Sequence, residues 1–365
     1  MNKKLVALAV AGVLASPLAA QAQTANVTLY GRLNLDMEIV QTKLADGTKP
    51  NVYRVSSNSS RLGVRGTESL GGGLNAIFQL ESSVAGDAGG GTLAGRETFV
   101  GLQGGWGTVK IGNFLAPYDD IHPIFGNVPT LTTSILSTAA IWAVGPASKT
   151  QGGFDARLGN SVRYDSPNVS GFTGSIQASS QENALHAMVW SMGGFYNNGP
   201  IQAGLAWERN EKVRGAGLKD DAISLAGGYN FGVVRIGGVY ERLKYDAGGG
   251  SLKRDFYGVS ATANLGPGQL YAGWFHANDG KGSAADGTNV AGVVKGADTG
   301  ADQYTISYTY PLSKRTLTYV GYNRIDNDTN ARYTFNINPV NQGANGGLAS
   351  EGKPQGVIAG VVHFF

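Results

Sequence analysis

One stretch near the start of the chain constrains the fold more than any other. In residues 27–39, VTLYGRLNLDMEI, the odd positions are apolar or glycine, and all the charged residues occupy even positions. Such a period of two predicts a β-strand with one apolar face and one polar face. An average soluble strand has about 5–6 residues, whereas a tilted strand that crosses a membrane needs about 9–11. The length therefore favours a membrane-spanning strand.

The charges on this stretch decide which face meets the lipid. An arginine on the lipid face at the membrane midplane costs ~2–4 kcal/mol, so the face that carries Arg32 is predicted to point inward. A polar inward face indicates a water-filled interior. The alternative is an edge strand of a soluble β-sandwich, whose polar face would meet water outside, and the repetition of long strands along the chain disfavours it.

The alternation recurs to the C-terminus and predicts about 16 strands, an even number typical of outer-membrane barrels. Short turns alternate with long polar loops, such as residues 278–300 and 326–352. After the first 22 residues no apolar run reaches 18 residues, so a closed sheet is the remaining way to cross a bilayer. Sixteen strands leave an aqueous channel. The predicted fold is an all-β, 16-stranded antiparallel transmembrane β-barrel. Aromatic residues on or near the strand ends are expected to form interfacial girdles; they are Trp207, Trp274, Tyr304, Tyr308, Tyr310 and Tyr319.

The N-terminal segment has the features of a secretory signal peptide. Residues 1–22 combine Lys3 and Lys4 with an apolar stretch and a final Ala-Gln-Ala, which predicts cleavage after Ala22. The mature barrel domain then comprises residues 23–365. Its 27 basic and 26 acidic residues nearly cancel, so the charge gives no argument for nucleic-acid binding. An exported chain without cysteine has no disulfides to stabilise it.

The strand pattern is interrupted once, over residues 115–156. This stretch is much longer than the usual connection of about 4–6 residues. Its aromatic side chains make it too apolar for a disordered linker. We interpret it as a loop packed against the inside of the barrel, where it forms the constriction of the channel.

The chain resembles the trimeric general porins of Gram-negative bacteria, particularly those of β-proteobacteria. The segments that carry the resemblance span nearly the whole mature chain: VTLYGRLNLD, SRLGVRGTESLGGGLNAIFQLE, RETFVGLQGGWGTVKIGN, NSVRYDSPNVSGFTGS and the terminal HFF. In that family the third extracellular loop folds into the lumen, and here it corresponds to residues 115–156. Many members read Pro-Glu-Phe-Gly at its tip, where this chain has Ile124 in place of the acid.

The resemblance implies further properties. It implies an outer-membrane location, a homotrimer in which residues 86–95 reach the neighbouring subunit, and surrounding outer-membrane lipid and lipopolysaccharide. It also implies that the barrel-assembly machinery recognises the terminal Phe365.

The candidate site is a basic ladder on the inner wall that faces acids of the long loop. If strands one and two form a hairpin, approximate pairing places Arg32 opposite Arg61. A narrow wet passage between cations and carboxylates filters ions by charge and size. The alternative is that each arginine pairs with a nearby acid, namely Asp36, Glu38, Glu81 or Glu97. The predicted constriction residues are Arg32, Arg61, Arg65, Lys110, Asp119, Asp120 and Arg163, with Arg157 and Arg235 also expected to point inward.

Together these features predict an outer-membrane porin that passes ions and small hydrophilic solutes by passive diffusion. A substrate-specific porin is the nearest alternative, with Tyr118, Phe125 and Trp142 binding a preferred solute. No Ser/His/Asp grouping suggests an enzyme, and neither a cofactor nor a metal is predicted, because the four histidines lack metal-ligand spacing. An adhesin acting through its outer loops remains a further alternative.

Overall fold

The computed structural model describes residues 26–127, 134–143, 153–182, 186–336, 338–340 and 349–365. The predicted signal peptide, residues 1–22, lies outside these residues, as do parts of the predicted constriction loop.

Long antiparallel strands make up most of the described chain. In chain order they are β1 (Asn26–Gln41), β2 (Asn51–Ser57), β3 (Arg61–Gly71), β4 (Leu74–Ser83), β5 (Thr98–Gly104), β6 (Gly107–Leu115), β7 (Arg157–Asp165), β8 (Phe172–Ser180), β9 (Met188–Asn198), β10 (Ile201–Glu211), β11 (Lys219–Asn230), β12 (Val234–Asp246), β13 (Ser251–Leu265), β14 (Gly268–Ala277), β15 (Asn289–Val290), β16 (Val293–Val294), β17 (Ala301–Pro311), β18 (Thr316–Asn327) and β19 (Gln355–Phe364).

The strands close into one barrel, because each pairs with its neighbours in the chain and β19 pairs with β1. Both β2 and β3 pair with β1, over its second and first halves respectively, so they form one interrupted wall strand. The pair β15–β16 is a separate small hairpin. The barrel that the described residues form therefore has 16 wall strands, which confirms the predicted fold class.

The two faces of the wall are those that the alternation predicts. On β1 the apolar side chains of Val27, Leu29 and Met37 are 59%, 63% and 67% exposed on the outside, whereas Asp36 and Glu38 on the other face are almost completely buried. Apolar side chains on the outer surface suit contact with lipid, and the ladder between neighbouring strands satisfies the backbone polar groups.

The predicted aromatic girdle holds at several positions and is wrong at one. Tyr304 and Tyr310 are 44% and 41% exposed on the outer face. Tyr319 instead points inward, where it is 2% exposed and its hydroxyl donates to Asn34 Oδ1 at 2.7 Å. The reason is parity: Tyr319 precedes the outward-facing Val320 on β18, so it occupies the inner face.

The connections differ at the two ends of the barrel. At one end, turns of a few residues join strands such as β5 and β6 or β9 and β10; at the other end, the connections after β6, β14 and β18 are much longer. The seam between β1 and β19 runs from Gln41 and Gln355 to the short-turn end. There the Phe365 N–H donates to the Gly31 carbonyl at 3.1 Å, and the Gly31 N–H donates to the Phe365 carbonyl at 3.0 Å.

The described parts of the segment between β6 and β7 pack inside this wall. It contains short 3₁₀ helices at Asp119–Ile124 and Thr138–Ala140. Neither is long and apolar enough to cross a membrane. Its apolar side chains join inward-facing residues of β10–β14 and of β18 and β19 in one buried cluster. Since that wall carries apolar side chains where the segment lies, the barrel interior has a packed half and a polar half.

Candidate functional site

The buried carboxylate of Glu241 on β12 is the centre of the packed half. It accepts a hydrogen bond from the Tyr118 hydroxyl at 2.6 Å and one from the Ala143 N–H at 3.0 Å, which ties two distant parts of the long segment to one side chain. Arg254 on β13 balances its charge with an ion pair of 2.6 Å. Arg254 also donates to the Ile141 carbonyl at 2.5 Å. This network holds the segment against β12 and β13.

Stacked rings give the segment a rigid interior. The ring of Trp142 lies parallel to that of Tyr118, with centroids 5.6 Å apart, and close to that of His122, at 4.8 Å. Phe125 meets the same indole edge-on at 5.6 Å, and the indole N–H donates to Ser224 Oγ on β11 at 3.1 Å. Tyr118, Phe125 and Trp142 are all 0% exposed, so they serve as anchors and leave no free surface for a solute.

The tip of the segment is held by its backbone. Arg235 on β12 donates to the Pro123 carbonyl at 3.0 Å and also to the Ile124 carbonyl. Tyr271 on β14 donates to the Phe125 carbonyl at 3.0 Å. The carboxylate that many porins carry at the tip is therefore not needed to anchor it here.

A later part of the segment reaches β17 and β18. Gln303 donates its side-chain N–H to the Ser137 carbonyl at 2.8 Å, and Asn323 donates to the Ile135 carbonyl at 2.5 Å. Both amides are fully buried. They satisfy backbone carbonyls that would otherwise lack partners away from water.

Across the interior, Arg32 on β1, Arg61 on β3 and Arg96, in the connection after β4, form a group of cations. The register pairs Arg32 directly with Arg61, as predicted. Arg32 is 4% exposed and donates to backbone carbonyls, including that of Ser59 at 3.2 Å. The Glu81 carboxylate lies 3.6 Å from Arg61 and 2.6 Å from Arg96. The Glu81 carboxylate thus lies between Arg61 and Arg96, and Arg32 is next to this group.

The same wall continues on β6 and β7. Lys110 and Arg163 are paired in the register and share Asp165, at 2.8 and 2.7 Å. Arg163 also meets Asp120 of the long segment at 2.5 Å. Arg157 lies 3.3 Å from the Glu97 carboxylate. Asp120 of the segment therefore faces the basic wall near the end of β7, where Arg163 lies.

Three groups of the loop, Asp119, Asp120 and His122, have shifted pKa values. Burial, the nearby Asp155 and then Asp120 raise the pKa of Asp119 well above its usual range. Burial also raises the pKa of Asp120, although Arg163 opposes the shift. Burial lowers the pKa of His122 to about 4. His122 is therefore neutral at physiological pH, and Asp119 retains a proton more readily than an exposed aspartate.

The structure brings together some predicted site residues and separates others. Arg32 and Arg61 form one group, and Lys110, Asp120 and Arg163 form another. Arg65 lies nearer the short turns, four residues along β3, with its guanidinium 5.0 Å from the ring centre of Tyr30. The sequence arguments missed Arg96, which lies in a glycine-rich connection without strand alternation. They also missed Arg254 and Glu241. Among the residues that the structure describes, no group of three or more histidines or acids is placed to hold a metal ion.

A closed barrel with an apolar outer face, a charged inner wall and an inserted loop defines the class of outer-membrane channel proteins. The sequence profile of the family described as "Gram-negative porin" matches residues 7–330. The chain belongs to that family, and it is an outer-membrane porin that forms a channel.

Individual relatives agree with this assignment. Outer membrane porin protein 32 of Delftia acidovorans is 30% identical over the full length of both chains. Major outer membrane protein P.IB of Neisseria lactamica is 35% identical over about half of each chain. The solved structure titled "Anion-selective porin from Comamonas acidovorans" superimposes with a TM-score of 0.74 at 28% identity, covering 93% of this chain and 100% of that one.

Proposed function

We propose that this porin narrows between the inserted segment and the basic wall, and that this neck makes the channel prefer anions. The observation that carries the proposal is the direct pairing of Arg32 with Arg61 on neighbouring strands. Like charges directly opposite each other in a ladder are destabilising. The fold retains this pair, with Arg96 close by, on a wall that faces the interior.

The balance of charges on this wall supports a preference for anions. From β3 to β7, the ion pairs between described residues join five cations to four acids: the cations are Arg61, Arg96, Lys110, Arg157 and Arg163, and the acids are Glu81, Glu97, Asp120 and Asp165. Arg32 lies beside this group, directly opposite Arg61. The carboxyl group of Asp119 counts less, because its raised pKa favours the neutral form. An excess of positive charge in a narrow passage with low-dielectric walls attracts anions. The structural relative from Comamonas acidovorans is named as anion-selective.

The proposal also covers the assembly of the channel, its surroundings and its mode of transport. The porin acts as a homotrimer, as OmpT of Vibrio cholerae does in its trimer form, a protein that shares the fold at 17% identity. Residues 86–95 reach the next subunit, the barrel-assembly machinery reads Phe365, and lipopolysaccharide surrounds the outer end. Transport is passive, of ions and small hydrophilic solutes, and the protein has no enzymatic activity. The burial of Tyr118, Phe125 and Trp142 weighs against a dedicated solute site built from them.

The test is single-channel recording of the purified protein in a planar bilayer under a KCl gradient. We expect conductance steps in threes and a reversal potential on the chloride side. Arg61→Ala and Arg32→Ala should each shift the reversal potential toward potassium, because each removes a positive charge from the wall. Arg324→Ala removes the same charge from the outer face of β18 and serves as the control. Unchanged reversal potentials in both wall variants would refute the assignment of the neck.

A further inference from the structure

A crevice of about 530 Å³ opens at the long-loop end of the barrel, where β18, β19 and β1 reach the rim. Gln41 and Gln355, which pair at the end of the seam, line it, and they have the parity of the outward-facing Ile39 and Val357. Thr42 also lines the crevice and has the opposite parity. This crevice, which we call the rim crevice, therefore lies on the rim itself, beyond the outward apolar residues of β1 and β19.

Two acids lie on the side of the rim crevice that β17 and β18 form. Asp298 precedes β17 and Asp328 follows β18, and both side chains are exposed. Among the described residues, neither has an ion pair within 4.0 Å. Arg324, on the same side, is already paired with Asp326 at 2.6 Å. This side of the crevice is therefore negative.

Three lysines lie on the other side, toward β19, β1 and β2. Lys353 precedes β19, Lys43 follows β1 and Lys49 precedes β2. Lys43 lies 3.9 Å from the Glu351 carboxylate, so these two charges offset each other. Lys49 and Lys353 are exposed and have no ion pair within 4.0 Å in the part of the chain that the structure describes. This side of the crevice is therefore positive.

Uncharged polar groups lie between the two charged sides. Gln355 Nε2 donates to Gln41 Oε1 at 3.4 Å, and Gln41 Nε2 donates to Asn51 Oδ1 at 2.8 Å; each of these amides has a second N–H. Thr42 is 2% exposed, and its hydroxyl has no hydrogen-bond partner among the described residues. Since buried polar groups normally have partners, this hydroxyl indicates that the crevice takes up a polar molecule.

The order of the strands sets the distance between the two sides. One strand, β19, separates β18 from β1, and β2 follows β1. Neighbouring strands lie about 4.8 Å apart, so the acids and the lysines leave the rim between about 5 and about 14 Å apart. An extended chain spans at most about 3.3–3.6 Å per residue. The two ends of a peptide of about three residues therefore match this separation.

We propose that the rim crevice binds short peptides with free termini, of about three residues. The terminal ammonium group lies toward Asp298 and Asp328, and the terminal carboxylate lies toward the lysines on the other side. The glutamine amides and the Thr42 hydroxyl bond to the peptide groups between them. Charge-assisted hydrogen bonds at both ends are stronger than neutral ones. Binding here raises the peptide concentration at the channel entrance, which goes beyond passive diffusion and does not depend on the ion preference.

The experiment measures binding of triglycine to the full-length folded protein in detergent at pH 7, by isothermal titration calorimetry. Triglycine has both terminal charges and no charged side chain. N-acetyltriglycine lacks the ammonium group, and triglycine amide lacks the carboxylate. We expect each blocked peptide to bind at least fivefold more weakly than triglycine.

Three results with the wild-type protein would overturn the proposal. Equal binding of N-acetyltriglycine and triglycine would show a simple anion site. Equal binding of triglycine amide and triglycine would show a simple cation site. No heat of binding with triglycine at millimolar concentration would mean that the crevice holds no peptide.

A double variant tests the positive side. Lys49→Gln with Lys353→Gln should weaken triglycine at least fivefold and leave triglycine amide unchanged, because that peptide has no carboxylate. The control, Lys281→Gln with Lys314→Gln, removes the same charge from exposed lysines elsewhere and should bind triglycine like the wild type. An equal loss in both double variants would show that net charge governs binding, and would overturn the proposal.

The reciprocal variant tests the negative side. Asp298→Asn with Asp328→Asn should weaken triglycine at least fivefold and leave N-acetyltriglycine unchanged, because that peptide has no ammonium group. Unchanged or tighter triglycine binding in this variant would mean that the carboxylate alone holds the peptide, and the proposal would fall.

A measurement on the wild-type protein covers the case in which a variant does not fold. Acetylation of lysines, read by mass spectrometry, should slow at least threefold at Lys49 and Lys353 when triglycine is present and remain unchanged at Lys314. Uniform protection, or none, would contradict the proposal. Reversal potentials are recorded in KCl without peptide, so a failure of triglycine binding leaves the proposed ion preference standing.

Discussion

At the scale of single residues, the same kind of ion pair has different consequences on the two faces of one strand pair. Arg254 and Glu241 on the inner face have fully buried side chains, whereas those of Arg242 and Asp255 on the outer face are 54% and 30% exposed. Loss of one partner from a buried pair costs about 3–5 kcal/mol, and an exposed pair contributes about 0–1 kcal/mol. The inner pair is therefore structural.

Asp119 makes the stability of the inserted segment depend on pH. Burial and Asp155 raise its pKa, so the folded state keeps a proton that the unfolded chain releases above its ordinary pKa of about 3.9. Stability therefore falls as pH rises from there through the raised value. Asp119→Asn supplies a permanently neutral side chain. We expect its thermal midpoint to match that of the wild type near pH 4 and to exceed it at pH 8.

The measurement is thermal unfolding in detergent between pH 4 and pH 8. Asp298→Asn changes an exposed aspartate in another loop and should show no such pH-dependent gain. A constant difference between Asp119→Asn and the wild type across this range would contradict the assignment.

At the scale of elements, the long segment depends on the wall strands for its position. Besides its two short 3₁₀ helices, it is attached through six backbone carbonyls that accept hydrogen bonds from side chains of β12, β13, β14, β17 and β18. Such a segment has little local structure of its own to hold it. Its position in the lumen is therefore as stable as these side-chain contacts.

Loosening this attachment should change the channel without unfolding the barrel. Tyr118→Phe removes one hydrogen bond to a carboxylate, worth about 1.5–3 kcal/mol. Glu241→Gln also leaves Arg254 without its counter-charge and should have a larger effect. We expect open-channel current noise and protease cleavage within residues 115–156 to increase in the order wild type, Tyr118→Phe, Glu241→Gln.

The matched control for these variants changes Tyr240, the residue before Glu241. Tyr240→Phe removes a hydroxyl that donates to Asp255 at 3.1 Å on the outer face of β12. It should leave noise and cleavage at wild-type levels. Equal effects of Tyr240→Phe and Tyr118→Phe would mean that β12 itself, and not the attachment of the segment, is disturbed.

At the scale of the whole molecule, the wall could be predicted from the sequence and the attachment of the loop could not. A period of two determines which side chains face lipid, and the approximate hairpin pairing was enough to place Arg32 opposite Arg61. Tyr319 was assigned to the girdle because it is aromatic, although its parity with Val320 already indicated the inner face.

No sequence pattern predicts the contacts at the centre of the packed half. Glu241 and Tyr118 are 123 residues apart in the sequence, and their contact depends on the path of an irregular segment across the closed barrel. Arg96 likewise lies in a connection without periodicity, so no pattern predicts that it shares Glu81 with Arg61. Contacts between irregular segments and the wall are determined by the closed barrel as a whole.

Gly31 lies at the seam of the barrel, where β1 meets the C-terminus. A Cβ atom on Gly31 would lie 2.5 Å from the ring of Phe365 and 2.6 Å from the Arg61 carbonyl oxygen. The ring could move, but the carbonyl belongs to the ladder between β1 and β3. Overpacking of this kind costs about 1–3 kcal/mol. We therefore expect Gly31→Ala to lower the folded fraction and the thermal midpoint, measured by heat-modifiable electrophoretic mobility. Gly227→Ala, in a wall position where the nearest atom is 4.0 Å away, should fold like the wild type. If both variants fold equally well, the seam tolerates a side chain and closure does not require the close approach of Phe365 to Gly31.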